Sequence, residues 1–68
     1  MATLSTRINA LTLFRLEMDW CLDMIAAGEP ELAAESAQVA MALALHAGKV
    51  ELMFQASDLY DSLTWVVS

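Results

Sequence analysis

The chain has 68 residues, 12 of them Ala and 11 Leu; it is 59% hydrophobic and 18% charged, with a formal net charge of −6. That length holds one small domain, two glycines and one proline cannot punctuate a many-stranded barrel or sandwich, and so apolar a composition excludes a disordered acidic tail. Three basic residues against nine acidic ones leave no footprint for a phosphate backbone, which excludes nucleic acid and anionic membrane surfaces as partners.

The longest charge-free stretch, Ser36 to Gly48, is 13 residues, short of the roughly 20 that a membrane span requires. Arg15 splits the apolar N-terminal segment where an export signal needs an unbroken run. A soluble cytoplasmic chain is the expectation. Cys21 is the single cysteine, so no intrachain disulfide can staple the fold.

The first element runs from about residue 4 to 27. Thr3, Ser5 or Thr6 can cap it, and Gly28-Glu29-Pro30 ends it, since Gly accepts the backbone conformation just past a helix and Pro opens the next one. Leu4, Ile8, Leu11, Met18, Leu22 and Ile25 form one apolar stripe interrupted by Arg15 and widened by Phe14 and Cys21. Leu13, Leu16, Trp20 and Met24 form another, bordered by Asp19, Asp23 and Glu17. A helix with two apolar faces must be covered twice.

After Pro30 the acidic group Glu29, Glu31 and Glu35 suits a helix N-terminus. Two readings follow. Met41, Leu45, Gly48, Leu52, Gln55, Leu59, Ser62 and Val66 keep helical phase through the glycine, and an interior Gly costs only about 1 kcal/mol relative to Ala. The favoured reading is thus one long second helix, about 30–65, spanning roughly 55 Å. Its overhang, with Leu52, Phe54, Leu59 and Leu63 bare, predicts a homodimer of helical hairpins making a four-helix arrangement. The alternative is a three-helix bundle broken at Gly48, with His46 and Gly48 marking a helix end. Both are all-α. Core or dimer contacts are assigned to Leu11, Met18, Leu22, Ile25, Leu45, Leu52, Phe54, Leu59 and Leu63.

No glycine-rich phosphate loop, CxxC, HExxH or nucleophile elbow is present, and Leu43 stands three residues before His46 where a di-iron bundle needs Glu. The expectation is a non-enzymatic chain with no cofactor and no metal. Cys21 reads first as a small core residue and second as a disulfide across a dimer axis. Arg15 reads as a snorkelling side chain, or as one that sets register against a partner carboxylate. Met18, Met24, Met41 and Met53 read as core filler rather than an adaptable binding groove. His46 reads as a partly buried helix-end residue, or as a contact sensitive to pH.

Candidate partner contacts are Leu16, Trp20, Asp23 and Met24 on the first helix, because Trp is over-represented at binding hot spots. Asp58, Tyr60 and Asp61 near the C-terminus form a second group, an aromatic among carboxylates suited to basic side chains. The partner expected is a protein with a basic or mixed apolar and basic surface.

Gly28, Ala33, Ala37 and Ala40 fall at the offsets of the small residues of a tetratricopeptide repeat, which this stretch resembles over one repeat. As a class, the short, acidic, helical and motif-free chain resembles small bacteriophage proteins that bind and disable host regulators, including quorum-sensing antiactivators. That resemblance implies a binder that sequesters or inhibits a bacterial protein, acting in the bacterial cytoplasm, and it transfers no site residues. A secretion-type chaperone that shields an aggregation-prone subunit is the other expectation, and a structural assembly subunit a third.

Overall fold

A computed structural model describes the backbone of residues 4–67 and the side chains of residues 9–64. It contains three helices, α1 (Leu4–Ala26), α2 (Pro30–His46) and α3 (Val50–Val67), and among the described residues no strand. Each connection is three residues long, so consecutive helices run antiparallel. α2 lies between the other two: it packs along both, whereas α1 and α3 touch each other little. The result is an elongated body of 37 × 18 × 14 Å. Thr3 as a cap lies outside the described residues, as do the side chains of Leu4, Ser5, Thr6, Ile8 and Val66.

The long second helix is therefore not formed; the three-helix alternative is. Gly48 has φ +75°, a left-handed conformation that ends a helix rather than continuing one. The Lys49 N–H donates to the Ala44 carbonyl at 2.9 Å and the Gly48 N–H to the Leu45 carbonyl at 3.0 Å, the paired bonds of a Schellman turn. The first corner repeats it: Gly28 has φ +76°, with the Glu29 N–H on the Met24 carbonyl at 2.8 Å and the Gly28 N–H on the Ile25 carbonyl at 3.1 Å. Both corners carry the pattern Ala-Gly-x-x-Glu-Leu, at residues 27–32 and 47–52. The Glu29 and Lys49 carbonyls then accept the first bonds of the following helices, from the N–H groups of Ala33 and Met53.

Two physical reasons explain why phase through Gly48 misleads. A helix that restarts after a turn can rotate about its own axis, so matching periodicity on either side does not require continuity. Folding back also buries Ala56 and Leu63 within the same chain, a gain in apolar burial that an extended helix leaves unmade. The overhang of a roughly 55 Å second helix, which motivated a second hairpin, is therefore absent.

The core is built mainly from small residues. Ala33, Ala37, Ala40 and Ala44 of α2, with Ala47 just past its end, recur at steps of four and three, and all are buried. An alanine stripe at that spacing lets a helix accept close neighbours on both flanks. Phe14 fills the space against Ala40, Ala44 and Ala56, with Met18, Met41, Leu43, Leu52 and Met53 packed around it. Cys21 and Leu63 meet Ala33 and Ala37 one layer along, flanked by Met24, Ala34, Leu59 and Tyr60. All four internal methionines thus pack against the core, as core filler does. Ser36 is buried too, and among the described residues no buried side-chain nitrogen or oxygen lacks a hydrogen-bond partner. No helix is long and apolar enough to cross a membrane among the described residues.

Candidate protein-binding surface

The face of α1 that meets α2 carries Ala10, Phe14 and Cys21, which lies between the two stripes counted in the sequence. Each stripe is consequently pushed to an edge. On one edge Leu11 and Met18 are half-buried, while Leu22 and Ile25 are exposed together with Arg15. On the other edge Leu13, Leu16 and Trp20 stand 49%, 58% and 54% exposed. These last three are spaced by three and four residues and form one outward seam about 10 Å long. Met24 continues the seam but is half-buried, its side chain turned into the layer around Cys21. Asp23 and Asp19 are exposed along one border and Glu17 is half-buried along the other.

The proposed group on α3 does not hold together. Asp58 and Asp61 are exposed, but Tyr60 is half-buried and packs with Leu59 against the Cys21 layer. An offset of two residues puts Asp58 and Tyr60 on different sides of a helix. The aromatic that does share the carboxylate side is Phe54, 59% exposed, four residues before Asp58 and seven before Asp61. That spacing is legible in the sequence, where Phe54 reads instead as core.

Of the remaining core or dimer assignments, Leu63 is buried, and Leu11, Met18, Leu52 and Leu59 are partly buried. Leu22, Ile25, Leu45 and Phe54 stand out of the chain's own core, Leu45 being 61% exposed. Helical geometry explains this: α2 already fills its neighbour-facing arc with alanines, leaving Leu45 on the solvent side. His46 is exposed in the last turn of α2, not partly buried.

Cys21 is fully buried and its thiol donates to the Ala33 carbonyl at 3.1 Å, tying α1 to α2. Burial pushes that thiol above the ordinary cysteine range, because the thiolate would lose its hydration. A disulfide across a dimer axis is ruled out for a sulfur so enclosed. Among the described residues no three His, Cys, Asp or Glu side chains are grouped so as to hold a metal ion.

The chain exposes 4715 Å² of accessible surface, whereas a compact monomer of 7.4 kDa exposes about 4,200 Å². Among the described residues ten large apolar side chains are largely exposed, while most buried positions hold alanine. No family model, curated protein or solved structure matches this chain.

Proposed function

We propose that the chain is a non-enzymatic protein-binding module that occupies a functional surface of a bacterial protein, in concrete form as an antagonist of a transcription regulator. One observation carries the reading: Leu13, Leu16 and Trp20 form an outward apolar seam on a helix whose opposite side is already packed. Isolated exposed leucines are ordinary, but an aligned aromatic and aliphatic set bordered by charge has the composition of an interface centre.

The test starts from affinity capture in bacterial lysate at low and high salt. Any stoichiometric partner is then purified, recombined with the chain at equimolar ratio and assayed for its own activity. The reading expects a complex that weakens with salt, a partner activity lost at one equivalent, and a loss of binding of about 2 kcal/mol or more in Trp20→Ala. Recovery of the free chain at both salts overturns it, as does a complex that leaves the partner's activity untouched.

A further inference from the structure

We infer that the outer seam of α1 is a docking face for an amphipathic helix of another protein, one whose apolar stripe is bordered by Lys or Arg. This rests on the protein-binding reading above and supplies the partner's chemistry.

The seam's spacing is that of helix-on-helix recognition. Leu13, Leu16 and Trp20 lie at i, i+3 and i+7, the positions through which one helix meets anchors on another. Its borders are acidic on both sides, with Asp19 and Asp23 on one and Glu17 on the other. The described cations lie elsewhere. Arg15 projects well round the helix from the seam, as an offset of one residue from Leu16 requires. Lys49 sits in the α2–α3 turn, which the packing of Phe14 on Ala40 and Ala44 places beyond the N-terminal end of the seam. A ligand helix laid on this face therefore meets carboxylates at both edges, and Lys or Arg beside its apolar stripe complements them.

A second copy fits the same face poorly. An antiparallel pair centred on Leu16 brings the two Glu17 side chains together, and a parallel pair sets the Asp19 and Asp23 border of one copy against the Glu17 border of the other, acid facing acid in both. Three half-exposed side chains of roughly 200 Å² each offer about 300 Å², well short of the ~800 Å² that each partner of a stable dimer covers. A patch of that size suits a small anchored ligand such as a single helix.

The experiment uses the full chain carrying Trp65→Phe, so that Trp20 is the sole indole. It is titrated with three synthetic 14-residue peptides: a Leu/Lys peptide with its leucines on one helical face, a reordered Leu/Lys peptide without that face, and a Leu/Glu counterpart of the first. Trp20 emission and anisotropy report binding, and far-UV circular dichroism checks that each variant keeps its helices. The expected result is binding of the amphipathic Leu/Lys peptide with a blue shift of Trp20. Leu16→Ser and the pair Glu17→Lys with Asp23→Lys should each weaken it at least tenfold. Equal binding of the reordered peptide would make charge alone sufficient and overturn the inference; equal binding of the Leu/Glu peptide would do the same for apolarity alone. Undiminished binding by Leu16→Ser removes this face. A dimer in sedimentation equilibrium that Leu16→Ser converts to monomer gives the face to a second copy. A captured protein that still binds Leu16→Ser fully leaves the protein-binding reading standing while this assignment falls. Absence of any protein complex removes the broader reading, and the peptide titration judges the face independently.

Discussion

Replacing Gly48 with Ala changes stability in a direction that depends on which helical arrangement the chain adopts. At φ +75° an L-residue suffers its own Cβ against the backbone, a cost of about 1–2 kcal/mol. A Cβ built at Gly48 meets nothing within 4 Å, so no packing term adds to or relieves that strain. Restricting the unfolded chain returns about 0.4–1 kcal/mol, leaving a net loss near 1 kcal/mol. Inside a continuous helix the same substitution would raise stability by about 1 kcal/mol, since Ala is the better helix former. The two arrangements thus differ by about 2 kcal/mol, a large fraction of the roughly 3–5 kcal/mol that a core this small supplies. Thermal unfolding followed by far-UV circular dichroism at fixed protein concentration should show Tm falling by about 4–8 °C in Gly48→Ala. A rise in Tm would refute the turn and restore the long helix. Gly28→Ala should fall by a similar amount, because its φ is +76° and its surroundings are equally open.

Phe14→Ala should cost about 3–5 kcal/mol and abolish cooperative unfolding at 25 °C, whereas Phe54→Ala, on the solvent side of α3, should stay within about 0.5 kcal/mol in urea titrations. Ala40→Leu inserts three carbons where Phe14, Ala44 and Ala56 already meet; a destabilisation of about 1–3 kcal/mol is expected, while Ala42→Leu on the exposed side should change the urea midpoint little. Cys21 has a folded pKa above its unfolded value of about 9.0, so its contribution is fully present below the unfolded pKa and lost as pH rises through the folded one. Urea midpoints of the wild type and Cys21→Ala compared from pH 7 to 10 should converge at the alkaline end, and a gap that widens with pH would contradict the assigned burial.

The all-α class and the first corner are readable from local chemistry, because Gly28 and Pro30 bracket a helix stop and a helix start. The second corner lacks a proline and a capping Ser, Thr, Asp or Asn, which is why periodicity outweighs it in a residue count. Its signal lies in repetition: residues 47–52 copy the small-residue and Glu-Leu pattern of residues 27–32. The core is misjudged for a different reason. A helical wheel gives most weight to Leu and Met, but α2 is flanked on both sides, and the residues that permit this are alanines. Ala33, Ala37 and Ala40, singled out by their likeness to a repeat motif, are all fully buried. At the candidate surface, Trp20 and Leu16 are as exposed as the second stripe predicts, whereas Tyr60 is drawn inward because α3 needs an aromatic to fill the Cys21 layer.

The central position of α2 has a consequence for how the molecule opens. Each outer helix packs mainly along α2, but Phe14 and Cys21 of α1 share their core layers with Ala56 and Leu63 of α3, so detaching either outer helix also opens the layers it shares with the other. Amide hydrogen exchange should accordingly rank the helices, with α2 the slowest because its exposure requires both neighbours to leave. Contacts made mainly between consecutive helices keep chain closure short, placing folding in the microsecond-to-millisecond range of small helical domains. A competitor that drew off α1 would take Phe14 and Cys21 with it and strip one side from both core layers.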